Sequence, residues 1–400
     1  MKPMGAIPSD FRGLPLTIGG RSIAELTEHT PVFVYDFGIV ADRIARFRGA
    51  FTGVDLHYAV KANPYGPLLA AMAPLVDGFD IASAGELAMV AGLRRAVSFA
   101  GPGKTDAELD AAIRAAVTIN LESESEADRA LAIADRAGVR PRLAVRVNPD
   151  FELRGSGMRM GGRASPFGVD ADRAAALVRR IVAAGADWRG FHIFAGSQAL
   201  DAAAIIDSQA RTLDLAARLA DDVGTPPLVN LGGGFGIPYF PNELLIDIAA
   251  IGQALRERLA ALPASLVGTR FAIELGRWLV GEAGVYLTRV IDRKESKGET
   301  FLVCDGGMNH QLAASGNLGT VVRRNYPIAI ATAAPDAPRE VVSVVGPLCT
   351  PLDRLGDQVE LPVAHPGDVI AVFMAGAYGL TASPQAFLGH PAPAEILVGA

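Results

Sequence analysis

DLHYAVKANPYGPLLAAMAPLVDGFDIAS, residues 55–83, decides the fold. An apolar run (55–62) ends in a lysine and a turn. A helical pattern follows, and then a second run, FDIAS (79–83). Strand, helix, strand is the unit of a parallel sheet, because parallel neighbours need a crossover connection. The alternation extends outward over residues 38–280. Six more strands are predicted: AVSFAGP (96–102), VTINLES (117–123), RLAVRVNPD (142–150), GFHIFAGS (190–197), LVNLGGGFG (228–236) and RFAIELGR (270–277). Segments such as TDAELDAAIRAA and DAAAIIDSQARTLDLAARLADD lie between them, with apolar residues three and four apart. Several open on an Asp, Ser or Thr suited to an N-cap. Eight such units over roughly 240 residues fit a closed (β/α)8 barrel better than an open sheet.

Beyond residue 281 the pattern turns β-rich, in VYLTRVIDRKESKGETFLVCD, EVVSVVGPLC and DVIAVFMAGAY, with turns at KGE, APDAP and HPGD. Residues 281–400, joined by 1–37, are expected to form a second, mainly β domain. PVFVYD (31–36) is expected to pair within it. The Gly-rich, aperiodic stretch 150–168 reads as a long βα loop. The 400-residue chain is half hydrophobic and 20% charged, with a net charge of −6. That suits a globular enzyme and excludes a general nucleic-acid or membrane-surface binder. Two cysteines are too few for a disulfide framework, and no apolar run approaches a membrane span. A soluble, cytoplasmic protein is expected.

In such a barrel the active site forms where the strands end. Lys61 stands at the end of the first. A lysine partly desolvated there would have a lowered pKa and a reactive amine; the alternative is a lysine snorkelling to solvent. LGGGFG (231–236) follows the seventh strand. Its Gly232, Gly233 and Gly234 let bare N–H groups approach an anion, or make a tight loop without a ligand. Arg277 at the end of the eighth strand would bind the same phosphate in a paired fashion. Glu274, three residues earlier, would face the mouth or form a structural ion pair. A lysine, a phosphate cradle and a carboxylate around one mouth suit pyridoxal phosphate. No metal-ligand set is expected.

YAVKANP, FDIASAGEL, FAGPGKT, RVNP, HIFAGSQ, LGGGFG, IELGR, CDGGMN, GPLC and GAYG run in this order from about residue 31 to 388. The set resembles the barrel-type (fold type III) pyridoxal phosphate-dependent amino-acid decarboxylases, those of diaminopimelate, ornithine and arginine, related more distantly to alanine racemase. The resemblance implies a barrel plus a β domain, and a head-to-tail homodimer whose sites are completed by the partner's β domain. It implies that Lys61 anchors the cofactor, that Ser197, Gly232 to Gly234 and Arg277 hold its phosphate, and that Glu274 faces the pyridine nitrogen. Cys349, donated across the dimer, would return a proton after carbon dioxide departs, and Tyr378 would reach the cofactor from the partner's side. Otherwise Cys349 and Tyr378 read as packing residues. Asp80 and His192 are expected near the cofactor.

Three departures from diaminopimelate decarboxylases stand out. Phe194 replaces a ring-stacking histidine. Thr350 replaces the acid that meets the substrate's distal ammonium, with Asp353 close enough to compensate. Ala313 and Asn317 replace an arginine and a tyrosine that clamp the distal carboxylate, with Arg323 and Arg324 as nearby substitutes. These features, with NPDFELRGSGMRMGG and GPLCTPLD, resemble a subgroup that includes the butirosin-type enzyme, acting on a glutamyl group tethered to an acyl-carrier protein, and the exosortase-associated decarboxylases. Arg154, Arg159 and Arg163 would then meet an acidic carrier, or form a solvated basic loop. An α-decarboxylase acting on an aminoacyl group, free or carrier-bound, is expected. The alternatives are a free diamino-acid decarboxylase, a racemase and a non-catalytic cofactor carrier.

Overall fold

A computed structural model describes residues 1–13, 15–153, 155, 157–159, 161–316 and 324–400. Eight parallel strands close into a barrel: β1 (Asp55–Ala59), β2 (Gly78–Ile81), β3 (Ala96–Phe99), β4 (Thr118–Leu121), β5 (Arg142–Asn148), β6 (Asp187–Ile193), β7 (Leu228–Asn230) and β8 (Arg270–Leu275). Each pairs with its neighbour in chain order. The ring closes where β8 pairs with β1, setting Glu274 beside His57 and Leu275 beside Tyr58. All eight end earlier than the sequence pattern suggests, because the residues past the last ladder bond turn into loops at the mouth.

These strands are buried on both faces, which is why their sequences read as continuous apolar runs. Leu56, Tyr58, Phe79 and Phe99 are fully buried. The helices outside begin where capping residues stand. Ser83, Thr105, Ser123 and Asp201 accept from backbone N–H groups of their first turns, and Thr105 forms a reciprocal capping box with Glu108. Each such cap stabilises its helix by about 1 kcal/mol.

A second sheet is built on the long strand Gly284–Ser296, which pairs antiparallel with Glu299–Cys304, Val369–Val372 and Val32–Asp36. PVFVYD therefore joins the β-rich part, as its sequence suggests. Arg339–Val345 and Arg354–Pro362 extend the sheet beyond Glu299–Cys304. Ala394–Val398 adds in parallel to Val32–Asp36.

The two parts are stapled beside the barrel mouth. Tyr378 N–H donates to the Ala62 carbonyl at 2.8 Å, and Asn63 Nδ2 donates to the Gly376 carbonyl at 3.0 Å. Tyr378 is held there at φ +53°, an uncommon conformation for a bulky residue that the staple enforces. Among the described residues no helix is long and apolar enough to cross a membrane.

Candidate active site

The strand ends of the barrel open on a cavity of about 530 Å³. Lys61 reaches it from a single 3-10 turn, Val60–Ala62, that follows β1. Val60 and Ala62 are buried, whereas Lys61 lines the cavity and is exposed. This corrects the expectation of a desolvated lysine on a strand end. β1 stops two residues earlier, and the turn lifts the side chain over the rim instead of aiming it into the barrel. Its Nζ lies 5.7 Å from the centroid of the Phe194 ring, within cation–π range.

Glu274 lies across the cavity on β8, buried and tightly held. Its Oε2 is 2.8 Å from His192 Nε2 and accepts from Asn230 Nδ2 at 3.2 Å. Burial alone would push this carboxyl up. The attraction of His192 and its hydrogen bond outweigh burial, with help from Lys61 and Arg146, and hold the group far below the usual carboxylate range. Asn230 also accepts from Gly232 N–H at 2.9 Å, so one amide ties the acid to the glycine loop. Nearby, His57 Nδ1 sits 3.6 Å from Asp80, which also accepts from Ser98. Burial pulls the His57 imidazole down, but the Asp80 charge prevails and raises it.

A third group gathers around Arg277. Its Nη1 donates to Tyr239 Oη at 3.0 Å, and the guanidinium stands 4.6 Å over the Tyr378 ring. Ser197, Gly234 and Gly276 line the wall beside it. A Cβ on Gly234 would come within 2.3 Å of the Gly196 carbonyl oxygen, and one on Gly276 within 2.8 Å of Ala62 Cβ, so backbone forms this wall by necessity. The Ser197 hydroxyl oxygen is buried without a hydrogen-bond partner among the described residues. A guanidinium, an unpartnered hydroxyl and bare backbone at one end, a lysine at the rim and an ionised carboxylate opposite fit a phosphorylated pyridine aldehyde.

Lys61, Phe194, Ser197, Gly234, Glu274, Arg277 and Tyr378 thus share one cavity. Gly232 and Gly233 shape it from behind; a Cβ on Gly233 would come within 1.9 Å of the Glu274 carbonyl oxygen. His192 and Asp80 are buried supports. Tyr378 lies in the cavity of its own chain, which corrects the expectation that it reaches across a dimer; the staple to Ala62 is the reason. Asp353 is corrected as well. It is 1% exposed, and its carboxylate accepts from Met308 and Leu348 N–H groups at 2.6 and 2.9 Å, so it organises its own loop and has no face for a substrate ammonium. That loop presents Cys349, which is exposed, beside half-buried Thr350. The other thiol, Cys304, is buried and its pKa pushed up by that burial. Arg324 lines a cleft next to the cavity, and Arg163 is paired with Glu152 at 2.5 Å. Arg154, Asn317, Arg323 and the side chain of Arg159 lie outside the described residues.

Sequence reasoning missed Asn230, Gln198, Tyr239 and Tyr326. Asn230 and Gln198 stand inside quoted motifs, LVNLGGGFG and HIFAGSQ, and were available as polar residues at strand ends. Gln198, at φ +57°, donates to the Ile237 carbonyl at 2.6 Å and lines the cavity. Tyr239 and Tyr326 come from loops with no local signal.

Residues 38–281 match the family described as the pyridoxal-dependent decarboxylases, pyridoxal binding domain. The chain is 37% identical over 395 residues to the L-glutamyl-[BtrI acyl-carrier protein] decarboxylase of Niallia circulans, covering 96% of this chain and 92% of the other. It is 30% identical to the diaminopimelate decarboxylase of Aquifex aeolicus, covering 97% and 92%. The crystal structure of the diaminopimelate decarboxylase of M. jannaschii with L-lysine superposes with a TM-score of 0.87 at 25% identity, covering 99% of this chain and 92% of that one. The Helicobacter pylori enzyme with L-lysine superposes at 0.82 and 27% identity, covering 94% and 93%.

Proposed function

The chain belongs to the pyridoxal-dependent decarboxylases, and from that premise we propose that it removes the α-carboxylate of a glutamyl group carried as a thioester on an acyl-carrier protein. That it is a pyridoxal phosphate-dependent carboxy-lyase follows from the family; the substrate and the residue roles are our reading. One observation carries those roles: Lys61, Phe194, Ser197, Gly234, Glu274, Arg277 and Tyr378 converge on one cavity.

Lys61 would hold the cofactor aldehyde. Ser197, Gly234 and Arg277 would hold the phosphate, with Gly232 and Gly233 setting the loop and Tyr378 backing Arg277. Phe194 would lie against the ring and Glu274 would face the pyridine nitrogen, with His192 and Asn230 keeping the carboxylate ionised and aimed. When bound, the cofactor ring supplies a sink for the electron pair left as carbon dioxide departs. Cys349 of the partner subunit would return a proton to Cα; its exposure as a free thiol supports that role. We therefore read the enzyme as a cytoplasmic, biosynthetic homodimer. Residues 38–280 would bind the cofactor, and 1–37 with 281–400 would complete the partner's site.

The described residues at the distal end, together with chemistry, support this substrate. The α-amine must meet the cofactor and the α-carboxylate must leave, so a tethered glutamyl group has its γ-carboxyl left for the thioester. Thr350 and Ala313 bring no charge, and Asp353 is occupied in its own loop, which suits a substrate whose distal end is neutral. The relative that shares 37% identity acts on such a group. Carbon dioxide release from γ-glutamyl carrier protein, with a 4-aminobutyryl thioester as the other product, tests the reading. Faster release from free diaminopimelate would refute it in favour of a diamino-acid decarboxylase, and racemisation without gas would refute decarboxylation. For the shared site, mixing inactive Lys61→Ala and Cys349→Ala dimers should restore about a quarter of the sites, because half the dimers are mixed and each has one intact site.

A further inference from the structure

A second cleft, of about 300 Å³, opens off the Lys61 cavity. Gln198, Arg277, Ala313 and Tyr326 line both, so one continues into the other. The outer wall of the cleft is aromatic. The Tyr239 and Tyr326 rings pack with centroids 4.9 Å apart, and Phe240 meets Tyr326 edge-on at 5.8 Å. Arg324 stands at the rim, its guanidinium carbon 3.6 Å over the Phe240 ring and its Nη1 3.3 Å from Glu243. Glu243 is itself fixed by the N–H groups of Tyr239 and Phe240, at 2.9 and 3.1 Å. The cation is therefore positioned from two sides, yet its side chain is 49% exposed and keeps donors for an incoming anion.

A free amino acid of modest length is short and has no need of this passage. An occupant that fills it must be narrow, with an alkyl and amide body to lie along aromatic rings and an anion to reach Arg324. Building on the carrier-bound reading above, we propose that the cleft is the channel for a phosphopantetheine arm, with its phosphate at Arg324, and that Ala313 determines specificity by keeping the junction open. A methyl group at that junction leaves the route clear. A long side chain there would occupy it and confine the enzyme to untethered substrates.

Two synthetic thioesters separate the possibilities: γ-glutamyl-4′-phosphopantetheine and the truncated γ-glutamyl-N-acetylcysteamine. For Arg324→Glu, kcat/KM for the long thioester should fall about 30-fold more than for the short one, since reversing the charge opposes the phosphate. Ala313→Arg should show the same selective loss, with the cofactor absorbance intact. Calorimetric titration of the wild-type holoenzyme with 4′-phosphopantetheine, a readout independent of turnover, should give an affinity that drops about tenfold in Arg324→Glu. Equal losses on both thioesters, or none on either, would overturn the channel while leaving the carrier-bound reading intact. A wild-type enzyme that turns over neither thioester would overturn both.

Discussion

Replacing Glu274 separates stability from catalysis at one atom. Its Oε2 receives His192 at 2.8 Å and Asn230 at 3.2 Å inside a buried site. Glu274→Gln keeps an acceptor in that place and removes only the charge. Glu274→Ala removes the acceptor, leaving two buried polar groups without a partner at about 1–3 kcal/mol each, so the difference between the variants should be about 2–6 kcal/mol. Catalysis sorts them differently. Both lose the negative charge proposed to face the pyridine nitrogen, and the loss of one preorganised electrostatic group costs about 10²–10³-fold in kcat. Urea unfolding at neutral pH and single-turnover carbon dioxide release, run on both variants, read the two quantities independently. The expected pattern at neutral pH is Gln below wild type, because it forfeits what the charge contributes, Ala further below Gln, and both equally slow. A Gln variant that keeps wild-type kcat would refute the role of the charge. An Ala variant as stable as Gln would refute the account of the hydrogen bonds.

Other outcomes follow from the same geometry. Because Glu274 is held below its ordinary value of 4.5, it contributes stability that is present above that pH and lost as pH falls through its folded value of about 2; the gap between wild type and Glu274→Gln should therefore close across that window in acid unfolding. Gly233→Ala should abolish cofactor retention, measured by absorbance after gel filtration, because its Cβ would overlap the Glu274 carbonyl oxygen. Arg277→Lys should weaken cofactor binding about tenfold or more, by equilibrium dialysis, since it would end the paired donation proposed for the phosphate. Asn63→Ala should cost about 1–3 kcal/mol by leaving the buried Gly376 carbonyl without its staple, and should speed proteolysis around residue 376.

The barrel was readable because its buried strands are contiguous apolar runs and its helices carry their own caps. The lining of the cavity was readable where its residues stand at or just past strand ends, as with Lys61, Ser197, Glu274 and Arg277. What the sequence concealed depends on contacts between distant segments. The Tyr378 side chain was assigned to the wrong subunit because the hydrogen bond from its backbone to Ala62 joins residues far apart in the chain. Asp353 looked like a spare charge, yet two backbone donors claim it. Arg354–Pro362 escaped notice because its polar residues and irregular register blur the period-two pattern. Tyr239 and Tyr326 meet only when a barrel loop folds against the β-rich part.

The ring's seam has a consequence for biogenesis. Lys61 follows the first barrel strand and Glu274 sits on the last, and the two face each other only after β8 docks on β1. A nascent polypeptide that has emerged only through β7 carries the amine without its opposing carboxylate. On the proposed roles, vitamin capture would be deferred until the toroid is shut, and the captured molecule would then act as a clasp, favouring the shut form by mass action against reopening along that line.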